Sequence, residues 1–533
     1  MIKKFISPNF FKQFSIRILI YVLVLLVLIS IKRFVNIFIW ERILKTTIFL
    51  NFDFGFLIIG IYLFFIILLE IYALYFSVIK KFFLKNEKKI YLAILIIFLL
   101  FNLFFQFHTG VWKDVAEHSR AGYLISQGKI PYIDFFEHHN PLYWYVISPI
   151  FFFTKGILPF YILYSISSII FCISTFFIFK IGKIIFDNKR YAWMTTIFFV
   201  SVYPVIISYE IRPDAFSALF LIIAIYLFFK EKSNYLLLGL FIGISILFSQ
   251  KAILYAGIFF ITIFIINYKN INKLIKKELL FVLGAIIPTI LFGTFFYLIA
   301  GSEGLKRYFF LNYLFNLKIN FSYNLFGYFI KYYLPSNMLH FIFSIGGIFI
   351  LIKNKVVNKK VLYLILFNFL IISYFIFKCR LSPQDFLYFT PLLAFSAIIF
   401  IKFLLTKSPF KKIICYILFI ALMMPFIISL LFLTMPLKKS VDYGIIEFYL
   451  KNFEEKDSNC NLIYNPVYQY HWFLNNQEQK DLLYKHEIYS KYLSIDKMVQ
   501  ENFSVICTKE INQEFLIKNG YNRYLKSDIF YKK

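Results

Sequence analysis

Between Lys113 and Tyr145 the chain reads KDVAEHSRAGYLISQGKIPYIDFFEHHNPLYWY, and acids and histidines collect here. Four of the seven histidines (His108, His118, His138, His139) lie in or beside it, with Asp114, Glu117, Asp134 and Glu137. A carboxylate in such a segment has two uses. As a general base it takes a proton from an acceptor hydroxyl or amine, and as an anion it pairs with a cationic group. Asp114 and Glu117 are spaced i, i+3, which puts them on one face of a short helix running to Gln127, ended by Gly128 and Pro131. Asp is also a favoured N-cap, so capping alone would account for Asp114. His138 and His139 adjoin Glu137, but consecutive residues point in different directions and no HxxxH or HxxE spacing is present, so no metal site is indicated.

Three cations stand at the borders of apolar runs: Arg212 in Arg212-Pro213-Asp214, Lys251, and Arg380. Cations so placed hold anionic groups, phosphates above all, or else snorkel to the interface. Asp214 follows a proline and reads equally well as the first-turn acid of a helix, where the dipole favours it.

The elements that position these residues must cross a membrane. The chain has 533 residues, 60% of them hydrophobic and 16% charged, with a mean hydropathy of +0.73. A soluble protein could not cover so much apolar surface. Runs of spanning length start near Ile18, Gly55, Ile90, Phe160, Tyr191, Pro213, Tyr235, Ala252, Leu279, Met338, Val361, Phe386 and Ile413, about thirteen in all. Five basic blocks lie between them, at Lys80–Lys89, Lys183–Arg190, Lys269–Lys277, Lys353–Lys360 and Lys407–Lys412. The positive-inside rule puts all five in the cytoplasm, with the N-terminus inside and the C-terminus outside. The basic loop Lys32–Lys45 does not fit this map. The basic start runs into a long apolar stretch without a small-residue cleavage site, which reads as a retained first helix.

On the same map Asp114–Asn140, Tyr209–Asp214, Ser249–Lys251 and Lys378–Asp385 meet at the outer surface. Were Leu142–Thr154 to span, the Lys183–Arg190 block would turn outward, so this segment is expected as a helix lying in the interface. The expected plan is two additional helices in 1–88, a catalytic membrane domain in 89–436 with its outer loop at 108–158, and a small extracytoplasmic α/β domain in 437–533. Asn461–Tyr464 and Phe503–Cys507 read as strands of that domain. The formal charge of +29 is spread in short blocks between apolar runs, so membrane lipids are expected as partners and nucleic acid is not.

The order of these features resembles the polyprenyl-phosphate-sugar-dependent glycosyltransferases of the GT-C fold. That group includes the dolichyl-phosphate-mannose protein mannosyltransferases and the bacterial aminoarabinose transferases. An acid follows a span, then come a short helix, the Gly128-x-x-Pro131 turn, Asp134-Phe135-Phe136 and Pro141-Leu142-Tyr143-Trp144. Arg212-Pro213-Asp214, Lys251, and Arg380 with Tyr388 and Pro391 follow further on. The resemblance covers roughly Ile90 to Leu404. It implies an all-α polytopic membrane protein that takes a sugar from a polyprenyl-phosphate donor and passes it to a lipid, glycan or protein acceptor. The reaction would take place at the outer face of a bacterial plasma membrane.

The resemblance implies Asp114 as the catalytic base and Asp134 and Glu137 as the acids before the Pro-Leu segment. Lys251, Arg212 and Arg380 are the expected holders of the donor phosphate, and Glu117, His138, His139, Tyr143 and Asp214 the expected substrate contacts. No cofactor is expected. Some members carry a Lys before the Pro, where this chain has His138, His139 and Asn140. A transporter or lipid flippase is the competing class. It would gather its polar residues at mid-bilayer, whereas these gather at one surface.

Overall fold

The structure is a computed structural model. It describes residues 113–135, 139–154, 158–202, 210–315, 334–353, 359–377 and 386–407, parts of 89–102, and four short strands between 462 and 531. The chain divides into two compact units, Met1–Ile90 and Tyr91–Lys533, and every element named below belongs to the second. The expected spans starting near Ile18, Gly55 and Ile413 lie outside the described residues.

Two short helices come first, α1 (Lys113–Ser126) and α2 (Leu142–Phe153). They are followed by α3 (Leu158–Phe186), α4 (Lys189–Ser201), α5 (Pro213–Phe229), α6 (Tyr235–Phe248), α7 (Ile253–Asn267) and α8 (Ile271–Phe309). The last three are α9 (Leu334–Lys353), α10 (Lys359–Phe377) and α11 (Phe386–Lys407). Apolar runs in lipid must pair their backbone groups internally, and the helix does so within one segment. Polar residues set the ends. Asn188, Asn234 and Asn270 each accept a hydrogen bond from a backbone N–H of the first turn of α4, α6 and α8, satisfying donors that have no intrahelical partner. Pro213 opens α5, where its missing N–H costs nothing. Gly301, at φ 66°, breaks α8 near its end, a conformation that a residue with a Cβ rarely adopts.

Among the described residues four segments are long and apolar enough to cross a membrane: Leu158–Phe186, Gln250–Asn267, Ile271–Leu314 and Phe386–Thr406. Ile169, Phe176, Leu291, Leu298 and Phe349 on these and neighbouring helices stay mostly exposed, as lipid-facing side chains can and side chains in water seldom do. The chain is an integral membrane protein. Helix α2, with 12 residues, is shorter than the roughly 17 that a crossing needs.

Tight loops make successive helices antiparallel. The starts of α5, α7 and α11 and the end of α6 therefore gather at one end of the bundle. At the other end Lys360 Nζ donates to Phe228 O (2.9 Å) and Ser233 Oγ (3.0 Å), and Lys277 Nζ lies 4.9 Å from the Tyr235 ring centroid. Helices α6 and α8 cross closely because both carry glycine where they meet. A Cβ on Gly239 would run into the carbonyl of Phe281, and one on Gly284 into that of Leu236. Small residues replace hydrophobic burial as the means of helix association in lipid.

Helices α1 and α2 sit on the bundle through an aromatic cluster. Tyr132, Phe135, Tyr143 and Trp144 are buried against Phe248 of α6 and Phe292, Phe296 and Tyr308 of α8. In the tail, β1 (Leu462–Tyr464), β2 (Val505–Cys507), β3 (Asn522–Arg523) and β4 (Ile529–Tyr531) form a sheet of order β1-β2-β4-β3. The β1–β2 pair is parallel and the others antiparallel. The strands β1 and β2 fall within the two segments read as strand-like from the sequence.

Candidate active site

Four elements converge on the carboxylate of Asp214. It lies in the first turn of α5, where the helix dipole favours a negative charge. Arg212, the N-cap residue, reaches Oδ2 with its Nη2 at 3.4 Å. Lys251, in the 3₁₀ turn that follows α6, holds Oδ1 at 3.3 Å. Tyr388, from the first turn of α11, donates its hydroxyl to the same oxygen at 3.0 Å, and Ser249 at the C-cap of α6 lies 3.5 Å away. The Asp214 and Arg212 side chains are 4% and 9% exposed, that of Lys251 38%. Two cations share this one carboxylate, and Lys251 is the more exposed of the two. An anion arriving there meets a charge-assisted donor with its partner already built in.

A second group adjoins. Glu117, on α1 and nearly buried, places Oε1 3.3 Å from His139 Nδ1. The Trp144 indole N–H donates to His118 Nδ1 at 3.1 Å, and the His118 and His139 rings meet edge-on with centroids 5.0 Å apart. Tyr132 donates its hydroxyl to the carbonyl of His139 at 2.5 Å and accepts from Asn312 Nδ2 at 2.8 Å. Tyr132 itself has φ 65°, a conformation that costs a residue with a side chain on the order of 1–3 kcal/mol and is kept where the surroundings enforce it. Asn140 ties the loop to α6 by donating to Ile246 O at 2.6 Å. Tyr143 stands between the two groups, with ring centroids 5.8 Å from His118 and 5.3 Å from Phe216 on α5. Burial pushes its phenol well above the usual range against the pull of Arg212, so it remains a neutral hydroxyl.

The expected residues fall into three sets. Arg212, Lys251 and Asp214 come together, and Glu117 and His139 form a pair beside Tyr143. Asp134 serves its own turn, accepting from the backbone N–H of Ile130 at 2.8 Å, and is half-buried. Asp114 lies in the first turn of α1, with its side chain outside the described residues, as are Glu137, His138 and Arg380 entirely. Among the described residues no three His, Cys, Asp or Glu side chains gather as metal ligands do. His118, Trp144, Ser249 and Asn140 were not singled out as site residues, and Tyr388 entered only through the resemblance. The Pro-Leu-Tyr-Trp run held a signal for Trp144, but a lone serine or asparagine at a helix border holds none.

No family model and no curated protein matches the sequence. Among solved structures, ArnT from Cupriavidus metallidurans bound to undecaprenyl phosphate matches with a TM-score of 0.59 at 10% identity, over 82% of this chain and 97% of that one. The fold is the GT-C fold. The archaeal oligosaccharyltransferase AglB from Archaeoglobus fulgidus, in complex with an inhibitory peptide and a dolichol-phosphate, matches with a TM-score of 0.44 at 13% identity, over 64% of this chain and 56% of that one. Its apo form matches with a TM-score of 0.44 at 12% identity, over 66% of this chain and 56% of that one. The chain therefore spans little more than half the length of these oligosaccharyltransferase chains. Within this GT-C fold the Asp214 group lies at the bundle end opposite Lys277 and Lys360.

Proposed function

We propose that the protein is a membrane glycosyltransferase that takes a sugar from a polyprenyl-phosphate donor and passes it to a lipid, glycan or protein acceptor. One observation carries this reading: Arg212 and Lys251 meet on Asp214 at one end of a GT-C fold that ArnT, crystallised with undecaprenyl phosphate, shares. As the bond between sugar and phosphate breaks, negative charge grows on the departing lipid phosphate. A preorganised cation stabilises that charge at no cost in reorganisation. Lys251 takes the phosphate, Asp214 holds both Lys251 and Arg212 in place, and Tyr388 keeps the carboxylate fixed.

The acceptor must lose a proton as its oxygen or nitrogen bonds the sugar. Asp114, at the start of α1, is the base for that step. Lysines at the opposite end of the bundle support an outer-face site, since basic residues mark the cytoplasmic side, and the same reasoning makes residues 437–533 an extracytoplasmic domain. The test is direct. Purified protein is mixed with undecaprenyl-phosphate-linked hexoses and pentoses and a bacterial lipid extract as acceptor, and free undecaprenyl phosphate is measured. Release that depends on Lys251 supports the reading, and no release from any donor overturns it.

A further inference from the structure

The Glu117–His139 pair is built as proton-handling pairs are. A carboxylate at one ring nitrogen fixes the tautomer and stabilises the imidazolium formed when the other takes a proton. The glutamate side chain is 10% exposed and that of His139 28%, so the pair runs from the interior towards open space. Its neighbour is set the opposite way. An indole N–H can only donate, so His118 Nδ1, at 3.1 Å from it, offers the lone pair that accepts this hydrogen bond. With ring centroids 5.0 Å apart, two imidazolium ions would repel each other. The indole beside His118 and the carboxylate beside His139 set the two rings apart.

The surroundings keep His139 in place. Tyr132 bonds its carbonyl from a left-handed backbone, and Asn140, the next residue, is tied to α6. Among the described residues Glu117 and His118 from α1 lie against it, Tyr132 from the loop bonds its carbonyl, and Tyr143 from α2 packs on His118. His118 acts electrostatically on Asp214 of α5, and Arg212 on Tyr143.

We infer that His139, with Glu117 behind it, is the proton relay of this site: it receives the proton that the acceptor gives up and hands it to solvent. The inference rests on the sugar-transfer reading above. In the step, the acceptor's O–H or N–H bond breaks while its oxygen or nitrogen bonds the anomeric carbon. The bond from that carbon to the phosphate oxygen breaks, and its electron pair leaves on the phosphate. The proton passes by way of the base to His139, whose imidazolium pairs with Glu117 until water takes the proton away.

The same undecaprenyl-phosphate-linked hexoses and pentoses test this, with kcat, donor KM and pH profile measured on the full-length protein. His139→Ala is expected to lower kcat at least about tenfold at unchanged donor KM, below the usual loss for a direct base, and free imidazole in the buffer to restore much of it. His139→Gln, which keeps size and polarity, should show the same loss. The relay must be deprotonated to accept, so activity falls as pH drops and His139 takes up a proton, and the Glu117 carboxylate 3.3 Å from Nδ1 favours that protonated form. Glu117→Gln should therefore move the acidic limb of kcat to lower pH. A wild-type kcat in His139→Ala, a loss that imidazole leaves untouched, or an unmoved acidic limb in Glu117→Gln overturns the relay. A wild-type protein that turns over none of the donors overturns the sugar-transfer reading, and the relay falls with it.

Discussion

Asp214 compensates two cations from inside the protein, and this makes its replacement costly in a particular way. Asp214→Asn leaves Arg212 buried with its partner neutral, and removing one member of a buried ion pair costs about 3–5 kcal/mol. The expected outcome is a clear fall in the thermal midpoint of the detergent-solubilised protein. Lys251 differs because its side chain is 38% exposed. Lys251→Ala should keep that midpoint yet weaken undecaprenyl phosphate binding at least about tenfold, on the order of 1.4 kcal/mol for a charge-assisted contact. Titration of the lipid phosphate into the variant checks it, and unchanged affinity returns Lys251 to a purely structural partner of Asp214. Asp114→Asn preserves size and most capping capacity. Sugar transfer at matched protein level should fall at least about a hundredfold if Asp114 is the base, and activity within a few-fold of wild type would leave Asp114 as a first-turn acid of α1.

Helix α6 carries Ser249 and Lys251 into the site from its C-terminal end, and α8 fixes its position. The crossing allows no side chain at Gly239 or Gly284, because the atoms in the way are backbone carbonyls, which do not swing aside as side chains do. Gly239→Leu is expected to separate the two helices at a cost of at least about 1–3 kcal/mol, the usual range for overpacking. The loss should appear as reduced monodisperse protein on size exclusion. A full yield at the wild-type midpoint would mean that the helices part without penalty. Helix α2 acts differently. Its 12 residues hold Tyr143 and Trp144 against the ends of longer helices, so its work is to floor the site.

For the whole molecule the positive-inside rule gives a measurable expectation, since Lys230 and Lys232 follow α5 at the end away from the site. Single cysteines replacing Ser126 and Ser527 in a cysteine-free background should react with an impermeant thiol reagent in intact cells, and one replacing Lys232 should not. Protection of Ser126Cys until the membrane is opened would place the site on the cytoplasmic side.

Much of this was legible along the chain. Apolar runs predicted the positions of α3, α5, α6, α7, α10 and α11 within a few residues, because in lipid a long apolar run has to become a helix. The segment Leu142–Thr154, expected as a helix, contains α2 (Leu142–Phe153). Arg212, Asp214 and Lys251 were recognisable as polar groups at the borders of such runs, where charge is costly without a purpose. Their meeting was not legible. Asp214 and Tyr388 are 174 positions apart, and Asn312 and Tyr132 180, and no local spacing encodes contacts that depend on which helices pack together. For the same reason the sequence marked His139 as a site residue only through the resemblance and did not single out His118. Only the packed structure put an indole against one and a carboxylate against the other, because protonation follows from the nearest partner and the nearest partner is set by tertiary packing.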